Sequence, residues 1–431
     1  MKLIRLGLVG LLAVGGGVFS AASASGAQVS GNISFAGIWT GAEQKNFQAV
    51  INAFQKANPG VKVKYQPAGD NLPTVLATAV KGGNPPDLAA VGQPGTARDF
   101  AQQGKLKPIT FARGTIAKYY SPDWIKLGTI NGKLYGLFFK GANKSTVWYS
   151  PSAFKTAGIT PPTTFDQLLT DAKTLRSSGV PAYSIGGADG WTLTDLFENI
   201  YLRQAGKVKY DQLSTHAIPW TDPSVKKALT TMAQILGDTQ NVAGGSQGAL
   251  QTDFPGSVTQ VFGSPQKAAM VFEGDFVIGN ITDQTKAKPL SGFNVFNFPS
   301  IDGSAPAVVG GGDEVIMFKS SPASQAFVKY LATPAAATIW ATKGGFSSPN
   351  KGVKASAYKD PIARRTALAL ANAKTFRFDM SDLAPPAFGG TVGRGEWKDL
   401  QDFLKNPNDV DGTAAQLEKD AAAAFGASGS K

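Results

Sequence analysis

The chain has 431 residues, 42% hydrophobic and only 17% charged, with 50 glycines, 26 prolines, one histidine and no cysteine. Zero cysteine excludes disulfides, thiolate metal sites and cysteine nucleophiles, and a lone His216 leaves histidine metal centres and histidine-dependent triads without their parts. At roughly 100–200 residues per domain, the length favours two domains with well-packed cores.

Lys2 and Arg5 precede an uncharged run over residues 6–19, and small residues follow as far as Ala27. A basic start, a short apolar stretch and two small-residue cleavage sites, Ala22-Ser23-Ala24 before Ser25 and Ser25-Gly26-Ala27 before Gln28, read as an export signal over residues 1–27. A membrane anchor is the alternative, but the run falls short of the roughly 20 apolar residues that span a bilayer. Removing Lys2 and Arg5 lowers the formal charge from +12 to +10. The remaining basic residues are scattered, without aromatic interleaving, which argues against nucleic acid. The mature chain is expected to be soluble and exported.

Residues 31–40 read as a strand through Ile33, Phe35 and Ile38, and Phe47, Val50, Ile51 and Phe54 then mark one face of a helix. Asn58-Pro59-Gly60 ends it before an alternating strand at Val61, Val63 and Tyr65. A helix over 72–81 leads through Asn84-Pro85-Pro86-Asp87 to a short apolar strand over 88–91. This βαβαβ order implies a mostly parallel sheet whose ligands bind beyond the strand carboxyl ends, near Trp39 and Gln93. Asn131-Gly132 marks a hairpin turn, and Thr164 to Gln167 is a capping box opening a helix. Helices are expected over 192–204 and 224–236, strands over 268–272 and 308–318, and helices from 324 onward. The fold class is therefore α/β, in two lobes with the chain crossing between them more than once.

Phosphate-loop, zinc-protease and serine-hydrolase motifs are absent; Gly310-Gly311-Gly312 runs into Asp313-Glu314, which would repel a phosphate. Three carboxylate pairs, Glu273 with Asp275, Asp313 with Glu314 and Asp379 with Asp382, admit a glycosidase reading. They fit equally well as acceptors for vicinal sugar hydroxyls. Trp39, Trp191 and Phe276 lie at strand ends or in glycine-rich loops, where a ring offers a flat surface to the C–H face of a pyranose. Trp220, Trp340 and Trp397 are assigned to packing, as is at least one of Trp148 and Tyr149, which share a strand. The adjacent Tyr119-Tyr120 lacks the histidine or carboxylate neighbours of an iron site, and no metal or cofactor is expected.

Several segments in this order resemble bacterial extracellular solute-binding proteins of family 1, the sugar receptors of ABC importers related to maltose-binding protein. They are residues 47–65 (FQAVINAFQKANPGVKVKY), 82–91 (GGNPPDLAAV), 132–154 (GKLYGLFFKGANKSTVWYSPSAF) and 268–280 (AAMVFEGDFVIGN), followed by 322–334 and 344–349. The pieces GGADGW, FEGDF, GGGDE and FRFDMSDL are more specifically similar to the α-glucoside-binding branch. The resemblance implies a periplasmic-binding-protein-like fold, two α/β lobes joined by a multi-segment hinge with the ligand between them. Placed on this sequence, the first lobe would be 28–140 plus 286–342 and the second 141–285 plus 343–431. It implies a non-enzymatic, monomeric receptor that hands a neutral carbohydrate to membrane permease subunits and, with no lipid-anchor cysteine, is free in the periplasm. Trp39, Glu43 and Gln93 would face the ligand from the first lobe, and Trp191, Asp275 and Phe276 from the second. Gly312 and Asp313 would line the cleft near the hinge, and Arg377 with Asp379 would close its far side. A secreted glycoside hydrolase or lyase, and a receptor for a non-sugar such as a polyamine, are the alternatives.

Overall fold

A computed structural model describes residues 29–429, with side chains as far as 426, so the expected export signal over 1–27 lies outside the described residues. Its strands in chain order are β1 (Gly31–Gly37), β2 (Val61–Pro67), β3 (Leu88–Val91), β4 (Thr129–Ile130), β5 (Lys133–Leu134), β6 (Gly136–Asn143) and β7 (Thr146–Tyr149), then β8 (Tyr183–Ser184), β9 (Met270–Phe272), β10 (Asn294–Asn297), β11 (Val308–Met317) and β12 (Phe376–Phe378). β1 pairs in parallel with both β2 and β3, as the βαβαβ pattern requires. β11 joins that sheet antiparallel to β3 and β6, with β12 parallel beside its first residues. β10, β7, β9 and β8 form a second sheet.

Each sheet carries its own core. Phe35, Phe47, Val50, Ile51 and Phe54 pack with Phe139, Phe327 and Trp340 on one face of the first sheet. The helix Gly41–Ala57 covers that face with the four residues that share its apolar stripe. The second lobe is built on Leu168, Ala172, Leu175, Phe197, Trp220 and Met232, drawn from the long helices flanking the short second sheet. Local signals act as expected. Asn131 and Gly132 take positive φ in the β4–β5 hairpin. Thr164 accepts from the backbone N–H of Gln167 at 3.3 Å, while Gln167 reaches back one residue further than a capping box, to the N–H of Thr163.

The chain crosses between lobes at Lys144-Ser145, between β6 and β7, and again between β10 and β11. The second crossing corrects the boundary expected at 286. β10 pairs with β7 and so belongs to the second lobe, and the return comes only after Asn297. The segment after 342 is also shared. Phe346, Ala357 and Tyr358 pack in the first lobe's core, Ile362 and Ala363 pack with Trp148, and β12 extends the first sheet. Tyr120 packs in the first-lobe core, and Trp148, Trp220, Trp340 and Trp397 are all buried. Among the described residues no helix is long and apolar enough to cross a membrane, and no group of side chains is arranged to hold a metal ion.

Candidate functional site

A cavity of about 330 Å³ lies between the lobes. From the first lobe Thr40, Glu43, Asp70, Gly92, Gln93, Gly312 and Asp313 reach it, and from the second Asp189, Trp191, Asp253, Phe254, Phe276 and Asp382. Lys140 and Lys144, from β6 and the crossing that follows it, complete the wall between them. A wider groove of about 850 Å³ beside Pro385, Arg394 and Asp399 has no aromatic side chain and lies away from these residues.

Three rings make the apolar floor. Trp191 lies 5.3 Å from Phe254 and 6.0 Å from Phe276, and Phe254 stands edge-on to Phe276 at 5.3 Å between ring centroids. Trp191 is held at the start of helix Trp191–Ser214 by Gly190, whose φ of 84° only glycine adopts without strain. Gly274 is required for a different reason, since a β-carbon there would sit 2.3 Å from the Phe276 ring. Phe254 opens the helix Phe254–Phe262 behind its Asp253 cap, and neither a strand end nor a glycine-rich loop marks it in the sequence.

The polar wall is organised around two lysines. Lys140 meets Glu43 at 2.6 Å and Asp313 at 3.4 Å, and its ammonium lies 5.1 Å from the centre of the Phe276 ring. Lys144 meets Asp379 at 2.6 Å, Asp195 at 3.0 Å and Asp382 at 3.4 Å, and stands 5.8 Å from the Trp191 ring. Burial alone would lower both lysine pKa values, but the facing carboxylates carry them above the ordinary range, so both stay charged. The glycine run in β11 makes room for this packing. A β-carbon on Gly311 would meet Lys144 at 2.8 Å, and one on Gly312 would meet the Lys140 carbonyl at 2.8 Å. The run is a close-approach device, not a phosphate cradle.

Both lysines are thus neutralised by protein carboxylates, which leaves acceptors in excess at the cavity surface. Burial lifts Asp189 to about 6 although it accepts from the Phe254 N–H, and burial also raises Asp70 against the opposing bond from the Trp191 indole. Glu43 is raised by burial too, with Lys140 pulling the other way. The side-chain oxygen of Gln93 is buried at the cavity wall with no hydrogen-bond partner among the described residues. Such a surface suits a ligand that donates many hydrogen bonds and offers a flat apolar face.

The structure brings Glu43, Gln93, Trp191, Phe276, Gly312 and Asp313 together in this cavity. Four expected residues are placed elsewhere. Trp39 is fully buried, packed against Phe47 and Trp340, and its indole N–H donates to Asp313 at 2.6 Å; it positions a cleft residue and offers no free face. Asp275 lies behind Phe276, 3% exposed, where it accepts from the Ser347 hydroxyl. Asp379 is fully buried and acts as a counter-ion to Lys144. Arg377 points away from the cleft to Asp211, at 2.5 Å and 2.8 Å from its two carboxylate oxygens.

The carboxylate pairs considered for hydrolysis fare no better. Asp313 and Glu314 follow each other along β11, and Asp313 lines the cavity while Glu314 is buried away from it. Glu273 and Asp275 are both buried behind the floor, and only Asp382 of the third pair lines the cavity. None of the three pairs presents both its carboxyls to the cleft.

The bacterial extracellular solute-binding protein family model matches residues 39–338. The chain belongs to this family. Relatives within it include the osmoprotective compounds-binding protein GgtB of Synechocystis sp., 30% identical over 381 residues, 86% of this chain and 88% of that one. The alpha-glucosides-binding periplasmic protein AglE of Rhizobium meliloti is 31% identical over 401 residues, covering 89% and 85%. Among solved structures, the bacterial solute receptor AcbH superposes with a TM-score of 0.81 at 20% identity, over 92% of this chain and all of the other. The two-lobed α/β fold is thus that of the periplasmic solute-binding proteins. In this member of the family the aromatic floor comes from the second lobe, and each lysine of the wall is tied to carboxylates of a different lobe.

Proposed function

We propose that the chain is the substrate-binding component of a carbohydrate ABC importer, exported to the periplasm, which captures a neutral saccharide of the α-glucoside class and releases it unaltered to membrane permease subunits. The observation that carries this reading is the pairing of a three-ring floor with an acceptor-rich wall across one small cavity. A pyranose packs its C–H face on the rings while its hydroxyls donate to Asp189, Gln93 and Asp382. The similarity to AglE, whose name states α-glucosides, supports the choice of sugar class. A ligand touching both lobes favours the closed arrangement by the contacts it gains there.

The receptor reading needs no covalent chemistry, and it accounts for carboxylates that serve as lysine counter-ions or hydroxyl acceptors rather than as an acid and base pair. The carboxylates of the wall outnumber its two neutralised lysines and also suit a polycation, so a polyamine is the competing ligand that the test includes. The test is a thermal-shift panel of neutral α-glucosides, amino sugars and polyamines on the mature protein, followed by analysis of the recovered ligand. A rise in melting temperature with a neutral α-glucoside, recovered intact, supports the proposal. A rise confined to polyamines, or recovery of cleaved sugar, refutes it.

A further inference from the structure

The edges of the cleft are closed in three places, and they are closed differently. On one side helix Gly41–Ala57 meets helix Val277–Gln284, with Gly279 against Ala42 and Lys45 paired to Asp283 at 2.6 Å. On another, helix Pro94–Gln102 packs backbone to backbone on the turn after Leu383. A β-carbon on Gly95 would lie 1.8 Å from the Ala384 carbonyl oxygen, and Arg98 donates to the Leu383 carbonyl at 3.2 Å. Neither edge opens without moving a helix.

The third edge is shut by side chains alone. Asp70, in the single turn Gly69–Asn71 of the first lobe, accepts from the indole N–H of Trp191 of the second lobe at 3.2 Å. Both residues are half-buried and both line the cavity, and the neighbouring Asp253 is exposed. The cavity's 330 Å³ lies at the low end of small-molecule sites, about 300–1,000 Å³, and matches one or two pyranose rings. A longer saccharide stacked on Trp191 and leaving by this edge passes the carboxylate of Asp70.

We propose that Asp70 is a specificity-determining residue: by bridging the lobes to Trp191 it walls off the open end of the cleft and limits the ligand to one or two sugar rings. This inference rests on the saccharide reading of the cleft and adds a size limit to it. The limit is steric, so it depends on the reach of the Asp70 side chain and not on its charge. An asparagine keeps the reach and an oxygen that accepts from the indole; an alanine or serine leaves the gap open.

The test is calorimetry on the mature chain with α-1,4- and α-1,6-linked glucose series of one to four rings. Wild type, Asp70→Ala, Asp70→Ser and Asp70→Asn are compared, each checked for a cooperative melt. Wild type is expected to bind its best one- or two-ring sugar at least tenfold more tightly than any three-ring sugar. Asp70→Ala and Asp70→Ser should close that gap to threefold or less, chiefly by gaining affinity for three rings, while Asp70→Asn keeps the wild-type profile. A misfolded variant would lose affinity for every length together and would not change the ratio. The inference is overturned if wild type binds three and four rings as well as two, if the truncations keep the wild-type profile, or if Asp70→Asn shifts it as far as alanine does. Should no sugar of any length bind, the saccharide reading itself falls; length-independent binding leaves that reading standing and removes only the role of Asp70.

Discussion

Trp191→Ala is the perturbation that isolates the stacking floor from the rest of the cleft. An indole buries roughly 150–250 Å² when fully covered, so a sugar lying on one face covers about 100 Å² of it. At about 25 cal/mol per Å² the lost contact amounts to about 2.5 kcal/mol, or roughly a sixtyfold weaker dissociation constant. Trp191 is only half-buried and sits at the first turn of its helix, so the second-lobe core around Phe197 and Ile200 is untouched by the change. Trp191→Phe keeps an apolar ring and loses the N–H bond to Asp70, and its affinity should fall between those of wild type and the alanine variant. The assay is calorimetry against the best sugar of the thermal-shift panel, with melting temperature as the control for folding. An alanine variant that binds within threefold of wild type, with an unchanged melt, would refute the stacking argument.

Lys140→Met should weaken sugar binding and destabilise the fold by about 3–5 kcal/mol, because it leaves the Glu43 and Asp313 carboxylates facing each other without their cation; urea denaturation reads this directly. Arg377→Ala should leave affinity within about twofold of wild type, since its guanidinium pairs with Asp211 outside the cleft, and calorimetry that showed a tenfold loss would contradict the placement. Glu314 supplies a pH prediction. Burial, only partly offset by Arg98, raises its carboxyl from 4.5 to about 8. The native state therefore holds that proton more tightly than the unfolded chain, so its contribution is fully present below about pH 4.5 and is lost as pH rises towards 8. Over that window it subtracts up to about 1.4 kcal/mol of stability per pH unit. Glu314→Gln should flatten the fall in melting temperature between about pH 5 and pH 8, and an unchanged slope would rule out the assignment.

Local pattern carries the first lobe well. The stripe Phe47, Val50, Ile51 and Phe54 and the alternation of Val61 and Val63 are properties of single elements, and the elements form where those patterns lie. Membership of a sheet is not local. Nothing in residues 294–297 tells which lobe they pair with, so a boundary drawn from sequence puts β10 on the wrong side of the crossing. Trp39 is legible and easily misread: it shares strand parity with Ile33 and Phe35, so the period that buries those two buries it as well. The opposite error concerns Lys140 and Lys144. Two lysines four residues apart at the end of a buried apolar strand are costly unless paired, which is itself a sign of a built site. The partners Asp195, Asp379 and Asp382 lie far along the chain, and no spacing rule connects them to Lys144. Asp70 and Asp253 are likewise ordinary loop and cap residues until the lobes bring them beside Trp191.

The central claim is that an uncharged saccharide binds between the lobes and leaves unchanged. Equilibrium dialysis of the mature protein against a neutral α-glucoside, with the bound fraction released and weighed by mass spectrometry, tests it most directly. The account predicts one sugar retained per protein chain, of the same mass before and after, and lost in Trp191→Ala. Retention of nothing but a cation, or release of a shortened sugar, would contradict it.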